Sequence, residues 1–530
     1  MLNREKLLHL QSKRGSRVIS DDIIQRDLRW AVEACREFIR NNADEYRNLD
    51  GDKKREVIIQ KIVEYVMRES PMVEGFVDSD NKIDSNGLVE ELVKEITDYG
   101  ILTEAMVDER VNEIRINGKE IKIEYNNKIV DLTENFGSCG GNVITFTSRE
   151  QQDIIFRKIM GDTRLNPKYS RATGRTVEGY RYEALHSSIL SVDPHDPNGE
   201  AYNAMVLRKF KKDKMTLINL IENGTISDDM AKFFRVMVRG GFTFLTVGPT
   251  SSGKTTTNNA ILQEIPDDIR SVFAQNPSEI DARKRDRLTN RVLNDQLYIE
   301  VREVENPTPY DPTMGNMLAA ILRLSPDFVT VGEYRKPAEF RMGTEINLAG
   351  HPVNGTFHAQ DAREAIVRYV QAYMSGSTGE SERIVAQTVA RMIDFIVVQR
   401  KMDDGTRKVV QIAEVLGFNS DTEEADIRDI FTFDKTGEHE YDEETDSVTR
   451  IVGEHRRVGT ISKESLKKLT LKGVRTEMYQ FLAVEPDKDE SGEAKFNEKY
   501  TGRIYRKREL ERLKEKSDIY SNVDVDRYSI

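Results

Sequence analysis

The 530-residue chain contains 32% charged and 38% hydrophobic residues and has a formal net charge of −12. This length predicts two to four domains, each large enough to bury its own core. The composition excludes a membrane-spanning protein, since no stretch of 18 or more apolar residues occurs, and the acidic balance argues against duplex DNA as the main partner. The polar start, Met1-Leu-Asn-Arg-Glu-Lys, and the two cysteines, Cys35 and Cys139, predict a cytoplasmic protein without a disulfide framework or a structural zinc site.

Helical patterns dominate the first part of the chain. Residues 1 to about 70 carry apolar residues at helical spacing, and Trp30 lies on that face, so we expect it in the core. Leu88 to Ile101 repeats the pattern, with Gly100 as the expected stop.

From Val111 the period of the apolar residues changes from helical spacing to two. Two strands are expected, joined by a type I′ turn at Asn117-Gly118. We expect the resulting α+β unit to end near Phe210, with the charged run 209–214 as the linker to the next domain. The expected elements of the unit are strands at 111–117 and 121–125, a loop at 132–142, a helix at 149–160, and strands within 177–192 and 201–210.

The next part, residues 215 to 433, alternates helices and buried strands. This order favours a mostly parallel sheet with helices on both faces. Residues 242–247 are a β-branched and aromatic run typical of a buried strand, and residues 255–264 predict a helix that ends before Pro266. The segment between them therefore lies where a helix N-terminus can meet an anion.

That segment, residues 248–255, matches the pattern G-x-x-x-x-G-K-[ST]. Its two glycines let consecutive backbone N–H groups point at phosphates. The Lys254 ammonium can then reach the β- and γ-phosphates, and the Thr255 hydroxyl is placed to hold Mg²⁺. The sequence thus predicts a site for ATP or GTP. The predicted binding residues are Gly248, Pro249, Thr250, Ser251, Ser252, Gly253, Lys254, Thr255 and Thr256.

A second candidate strand, residues 327–333, delivers a carboxylate at its C-terminal end. In phosphate-loop enzymes that edge of the sheet faces the nucleotide, so Glu333 is expected to orient the attacking water or to join Thr255 in the magnesium shell. The helical pattern from Met314 to Leu324 precedes it. Beyond about residue 434 the chain becomes acidic and irregular, which predicts a small appended domain with flexible ends, including helical patches near 461–482 and 505–516 and an acidic stretch at 485–495.

These segments carry a family resemblance. Residues 322–335, ending in Val-Gly-Glu-Tyr-Arg, resemble the Walker B region of the secretion-ATPase superfamily, the hexameric motors of type II and type IV secretion and of type IV pili. Residues 350–359 are similar to its histidine box. Among the subgroups, the CpaF-like motors of Tad pili are the most similar. Segments 108–118, 207–210, 387–397 and 412–415 extend the resemblance over roughly residues 105–433.

The resemblance implies roles for three residues. Glu333 would be the Walker B glutamate and Glu279 the acidic-box glutamate, one of which polarises the lytic water. His358 would sense the γ-phosphate and couple hydrolysis to movement. The chain departs from the family at Gln275-Asn276, where the acidic box usually has Glu-Asp. Losing two negative charges beside a magnesium nucleotide is expected to alter metal affinity or the rate of hydrolysis.

Phosphoryl transfer spreads negative charge over the equatorial oxygens of the phosphoryl group, and arginine side chains can stabilise that charge. The resemblance implies that the N-terminal domain folds over the nucleotide. Its candidate arginines are Arg171, Arg175, Arg181 and Arg208.

Together these features predict an α/β protein in which a smaller α+β domain precedes a RecA-like phosphate-loop ATPase domain. The expected activity is ATP hydrolysis by a homo-hexameric motor at the inner face of the membrane, bound to a platform protein there and without a specific nucleic-acid partner. A nucleotide-binding scaffold with weak or no hydrolysis is the alternative, and a small-molecule kinase is disfavoured by the long N-terminal domain and the lack of an evident lid. The expected boundaries are 1–104, a helical extension; 105–210, the N-terminal domain; 211–433, the ATPase domain; and 434–530, a C-terminal extension.

Overall fold

The computed structural model places the chain in two compact units, Met1–Lys212 and Asp213–Ile530. None of the described helices has both the length and the apolar character needed to cross a bilayer. Cys139 and most of the acidic stretch 485–495 lie outside the described residues. The structure describes residues 27–28, 30–32, 34–35, 38–39, 51–73, 76–77, 83–97, 99–125, 128–136, 144–146, 148–161, 163–176, 179–191, 201–209, 214–276, 279–301, 308, 310–375, 379–442, 447–486 and 504–529.

The first described residues of this unit are helical, in agreement with the prediction for this part of the chain. The described residues between 27 and 39 are helical and are followed by α1 (Gly51–Glu69) and α2 (Ser85–Thr97). The expectation for Trp30 is wrong, because its side chain is 59% exposed. The physical reason is the phase of the helix: the buried stripe consists of Leu28, Ala31, Val32, Cys35 and Ile39, and position 30 falls outside that spacing.

An antiparallel six-stranded sheet forms the rest of the first unit, with short helices beside it. Its strands are arranged in the order β3-β2-β1-β6-β5-β4. The helix predicted at 149–160 is confirmed, and the Ser148 hydroxyl caps it by accepting from the Gln151 N–H. The elements are α3 (Thr103–Val107), β1 (Val111–Asn117), β2 (Glu120–Tyr125), β3 (Lys128–Asp131), α4 (Leu132–Phe136), α5 (Arg149–Met160), β4 (Arg171–Arg175), β5 (Arg181–Leu185) and β6 (Ala204–Arg208).

Two local predictions in this unit are wrong. Asn117 belongs to β1 and pairs with Glu120, so the two loop residues are Gly118 and Lys119. Only Gly118 of the pair has a positive φ, +69°, whereas a type I′ turn needs positive φ at both central residues. The segment predicted as a loop from residue 132 begins with α4, whose Leu132 is buried in the core of the unit.

The second unit is built on a nine-stranded sheet, as expected for a mixed α/β protein. Strands β12, β7, β11, β10, β8 and β9 are parallel neighbours, and β13, β14 and β17 extend this parallel part antiparallel at one edge. The nine strands are β7 (Phe244–Val247), β8 (Ser271–Gln275), β9 (Gln296–Glu300), β10 (Phe328–Val331), β11 (Val353–Phe357), β12 (Phe395–Lys401), β13 (Arg407–Asn419), β14 (Glu424–Lys435) and β17 (Gly453–Arg457). A separate two-stranded sheet consists of β15 (Glu440–Tyr441) and β16 (Val448–Arg450).

Helices cover both faces of this sheet. Each face of the sheet has its own hydrophobic core, because successive strand side chains point to opposite faces. Phe244 and Phe328 lie in one core, and Leu245 and Val329 lie in the other. The helices are α6 (Leu217–Glu222), α7 (Asp228–Arg239), α8 (Lys254–Leu262), α9 (Met314–Arg323), α10 (Pro337–Leu348), α11 (Ala362–Met374), α12 (Glu382–Met392), α13 (Lys463–Leu471), α14 (Thr476–Tyr479), α15 (Lys507–Lys516) and α16 (Val525–Tyr528).

The described part of the C-terminal region does not form a core of its own. Strand β17 pairs with β14, and Leu469, Tyr505 and Tyr528 belong to the same core as Phe244. The predicted helix at 505–516 is present as α15. The tail is therefore part of the second unit, and the expectation of an appended domain fails because its apolar residues complete an existing core.

Candidate phosphate-loop site

The predicted order of strand, loop and helix is confirmed around residue 250. Strand β7 is buried along its whole length, and α8 begins at Lys254. Between them, φ is positive at Gly248 (155°), Ser251 (63°) and Gly253 (94°). Alternation of left-handed with ordinary conformations turns successive backbone N–H groups toward one concavity, the geometry that binds anions. The first turn of α8 adds its free N–H groups to that concavity.

The side chains of the loop fit a phosphate group. Lys254 is only 7% exposed, and its Nζ donates to the carbonyl oxygens of Gly248 and Pro249, each at 2.9 Å. The Ser252 hydroxyl is buried and has no hydrogen-bond partner among the described residues. A Cβ at Gly248 would collide with the carbonyl oxygen of Gln399. These features suit the binding of an oxyanion. They are the buried Lys254 ammonium, the Ser252 hydroxyl without a partner among the described residues, and the Gly248 backbone, which has no room for a side chain.

A chain of polar contacts links the loop to two neighbouring strands. Lys254 Nζ lies 3.4 Å from His358 Nδ1, and His358 Nε2 lies 3.4 Å from Glu333 Oε1. Burial of the ring and the Lys254 charge lower the pKa of His358 below its ordinary 6.5, against the opposing effects of the Glu333 charge and of a hydrogen bond to the Gly248 backbone. The imidazole is therefore neutral at pH 7. A neutral ring that accepts at Nδ1 from Lys254 and donates at Nε2 to Glu333 satisfies both contacts.

Arg335 engages the other oxygen of Glu333. Its Nη2 forms an ion pair with Glu333 Oε2. Burial acts to lower the pKa of Arg335, but the hydrogen bond and charge of Glu333, with the charge of Glu279, raise it above its ordinary value. Both predicted glutamates thus lie within electrostatic reach of one guanidinium. The structure brings Lys254, His358 and Glu333 into one cluster, with Glu279 in electrostatic reach of Arg335, and their catalytic roles stay a prediction.

Gln275, the departure from the acidic box, has a structural role. It is 1% exposed at the end of β8. Its Oε1 accepts from the N–H groups of Glu279 (3.0 Å) and Ile280 (2.8 Å), and its Nε2 donates to the carbonyl oxygen of Ile280 at 3.0 Å. A carboxylate can make the first two bonds but not the third. The amide therefore holds the segment that carries Glu279.

We expect Gln275→Glu to destabilise the protein by about 1–3 kcal/mol. The Ile280 carbonyl oxygen loses its hydrogen-bond donor, and a negative charge is buried. Thermal unfolding of the purified chain measures this loss. Gln371→Glu, an exposed change on α11, is the matched control and should leave the midpoint unchanged. An unchanged midpoint for Gln275→Glu would show that the amide donor is dispensable.

Tyr334, between Glu333 and Arg335, anchors the end of β10. Its ring is 2% exposed and lies in an aromatic cluster with Phe340, Phe357 and Tyr369. Two glycines make room for it. A Cβ at Gly343 would collide with the Tyr334 hydroxyl, and a Cβ at Gly355 would collide with a ring carbon. Since Gly355 lies on β11, which leads to His358, one side chain ties together the two strand ends that carry the site.

We expect Tyr334→Phe to relieve the cost of a substitution at Gly343 but not the cost of one at Gly355. Gly343→Ala should destabilise by about 1–3 kcal/mol through overpacking, and Tyr334→Phe should remove most of that cost. The hydroxyl is the nearest obstacle, while the ring carbons, at 2.9 and 3.0 Å, need shift only slightly. Gly355→Ala meets the ring and the Val331 carbonyl oxygen at 2.7 Å, so Tyr334→Phe should not relieve it. A double-mutant cycle of chemical unfolding measures both couplings, and equal rescue at the two glycines would contradict this packing.

The candidate arginines lie in the first unit, on one face of its sheet. Arg175 is directly opposite Arg181, and Arg181 is opposite Arg208, so the three form a row across β4, β5 and β6. Arg171, four residues before Arg175, shares this face and pairs with Glu183 at 2.5 Å. The opposite face holds buried apolar residues such as Tyr182 and Leu207. The pairing of the strands thus places the four arginines on one face of the sheet. Their role toward a nucleotide stays a prediction.

One contact at the loop was missed by the sequence reasoning. Arg407, the first residue of β13, donates from Nε to the Ser251 carbonyl oxygen at 3.2 Å and packs beside Gly253. It lies 156 residues from Ser251 in sequence. The available signal was the Asp403-Asp404-Gly405 turn, which predicts a hairpin returning toward the loop.

The magnesium expectation rests on a small set of ligands. Among the described residues, no group of three or more His, Cys, Asp or Glu side chains could hold a metal ion. Mg²⁺ is usually held by one or two protein oxygens together with substrate phosphates and waters, so the expectation does not depend on such a group. Thr255, in the first turn of α8, and Glu333 remain the predicted ligands.

The chain belongs to the type II/IV secretion system protein family, whose model matches residues 195–517, more than half of its length. The match includes the phosphate loop, Glu333 and His358.

Curated relatives are similar to part of the chain. The Vibrio cholerae type II secretion system ATPase E is 31% identical over 217 residues, 41% of this chain and 37% of that protein. The Methanocaldococcus jannaschii uncharacterized protein MJ0900 is 29% identical over 195 residues, 37% of this chain and 32% of that protein. The chain thus spans about a third of the length of these relatives. A solved structure, the Legionella pneumophila ATPase DotB, matches 61% of this chain and 81% of its own, with 18% identity and a TM-score of 0.42.

Proposed function

We propose that the chain is an ATP-hydrolysing oligomeric motor that powers type II/type IV-like secretion or Tad-type pilus assembly. The contact chain Lys254–His358–Glu333 carries this proposal, because it connects the residue expected at the γ-phosphate to the carboxylate expected at the lytic water. The family supports the motor class, and one relative is a type IV pilus assembly ATPase, PilB of Thermus thermophilus. The likeness to CpaF-like motors supports the Tad-type assignment.

The site residues divide the work of hydrolysis. The amides of residues 248–255 and the Lys254 ammonium bind and orient the triphosphate. Thr255, with Glu333 nearby, would hold Mg²⁺, which would supply neutralisation of the phosphate charge. Glu333, or Glu279 beside it, orients the attacking water, and neutral His358 transmits the change at Lys254 to Glu333. Because Lys254 now donates to two loop carbonyls, binding must exchange those contacts for phosphate oxygens.

Oligomeric assembly is the second part of the proposal. Residues 105–210 would form the N-terminal domain, preceded by the extension 1–104. Residues 211–433 would form the RecA-like ATPase domain, whose core the described part of 434–530 completes. The arginine row in the first unit would complete the site in a homo-hexamer, and nucleotide turnover would move one domain against the other about residues 209–216. The motor would work in the cytoplasm against a platform protein at the inner membrane, and no specific nucleic acid is required.

A scaffold that binds ATP without hydrolysing it is favoured by one observation, the neutral amide of Gln275 where the family usually has a carboxylate. Single-turnover kinetics with the chain in excess over radiolabelled ATP separates the two functions. A motor converts the bound ATP to ADP and phosphate in a single phase that Lys254→Ala abolishes. Recovery of the bound ATP intact after many minutes would contradict the motor and support the scaffold.

A further inference from the structure

The C-terminal segment, residues 504–529, contacts the far end of the phosphate-loop helix. Glu264 follows α8 by two residues and is 5% exposed. Its Oε1 accepts hydrogen bonds from the hydroxyls of Tyr505 and of Tyr520, the latter at 2.5 Å, and its Oε2 lies 3.3 Å from Arg235 Nε. A buried carboxylate at the end of this helix is therefore held largely by the C-terminal segment.

The same segment is bound to α7, which packs beside α8. Arg235, 3% exposed, donates to the Ile504 carbonyl oxygen and forms an ion pair with Glu509 at 2.5 Å. Its guanidinium carbon lies 4.1 Å from the centre of the Tyr505 ring. Glu509 also pairs with Arg239 at 3.0 Å. One arginine thus bridges Glu264 at the end of α8 and Glu509 on α15.

One backbone bond joins the two ends of the segment, and a side-chain bond attaches its C-terminal end to α6. The Tyr505 N–H donates to the Tyr528 carbonyl oxygen at 2.9 Å, and the Tyr528 hydroxyl donates to Glu222 at 3.0 Å. Tyr505 and Tyr520 are almost completely buried, and burial with the Glu264 charge raises the pKa of both well above 10. Both phenols therefore remain donors over the whole working pH range. The family match ends at residue 517, so Tyr520 and Tyr528 lie beyond it.

We propose that residues 504–529 form a clamp that positions the phosphate loop, so that docking of the clamp and binding of nucleotide are coupled. The inference rests on nucleotide binding as proposed above. Helix α8 has nine residues and spans about 13 Å, so it behaves as a rigid lever. Displacement of its C-terminal end moves Lys254 and the loop amides at its N-terminal end. Because coupling between two sites is reciprocal, nucleotide at the loop must also stabilise the docked clamp.

Hydrogen exchange on the wild-type full chain tests the reciprocal effect without any substitution at the clamp. MgATP should slow exchange at the Tyr505 and Ser529 amides, whose acceptors lie within the segment. Lys254→Ala should remove the effect. Protection confined to residues near the loop would overturn the proposal.

The second measurement is the affinity of Tyr505→Phe/Tyr520→Phe for MgATP. Loss of both donors to Glu264 should raise Kd and KM by about fivefold or more, with kcat changed less. Tyr441→Phe, an exposed change, is the control and should have no effect. Wild-type affinity in the double variant, together with unchanged exchange, overturns the clamp while leaving nucleotide binding intact. Absence of MgATP binding by the wild-type chain overturns the proposed function instead, and the clamp with it.

Discussion

Lys254→Ala is expected to weaken MgATP binding by about 100-fold, or ~3 kcal/mol, and to abolish hydrolysis. Lys254 is 7% exposed, so the attraction of its ammonium for phosphate is little screened by water. Its present acceptors are the carbonyl oxygens of Gly248 and Pro249, which can be exchanged for phosphate oxygens at small cost. Equilibrium dialysis with radiolabelled ATP measures the change directly.

Lys467→Ala provides the matched control for this prediction. It makes the same substitution at an exposed position of α13 in the same unit. Its affinity should equal that of the wild-type chain. Equal affinities for Lys254→Ala and Lys467→Ala would mean that the ammonium does not contact the nucleotide.

Glu333→Gln is expected to lower hydrolysis by about 100- to 1000-fold while MgATP binding is retained. The amide keeps the shape of the side chain but loses the charge that pairs with Arg335 and that His358 reaches through Nε2. Water orientation and polarisation depend on that charge, whereas the loop amides and Lys254 bind the triphosphate independently of it. Steady-state phosphate release and equilibrium binding measure the two properties separately.

Glu345→Gln, an exposed change on α10, should hydrolyse ATP at the wild-type rate. A fall of less than tenfold for Glu333→Gln would assign the catalytic carboxylate to Glu279 instead. Glu279→Gln would then show the larger loss of hydrolysis. The rate would in that case also depend on Gln275, whose Oε1 accepts hydrogen bonds from the N–H groups of Glu279 and Ile280.

The features predicted correctly are those that depend on neighbouring residues. Strand β7, the loop and helix α8 follow one another within 20 residues. The positive φ angles at 248 and 253 are adopted readily by glycine, because it has no Cβ. The sequence also predicts a mostly parallel sheet, but the meeting of Glu333 and His358 depends on the strand order, in which β10 and β11 are parallel neighbours whose C-terminal ends share one edge.

The features that were missed depend on distant segments. Arg407 reaches the loop only because β13 returns antiparallel to β12. The bonds of Tyr505 and Tyr520 to Glu264 join residues more than 240 positions apart. The turn at residues 403–405 indicates a hairpin but does not identify its partner at the loop, and no local pattern marks the partners of Tyr505 and Tyr520. The acidic, irregular sequence beyond residue 434 favours a separate extension, whereas its distant apolar residues complete the core of the second unit.

Isothermal titration calorimetry of the intact chain with MgATP tests the central claim, that residues 248–255 bind a triphosphate, most directly. The account predicts a saturable heat with one site per chain, which Lys254→Ala reduces to the level of dilution. Absence of heat from the folded wild-type chain with both MgATP and MgGTP would contradict it.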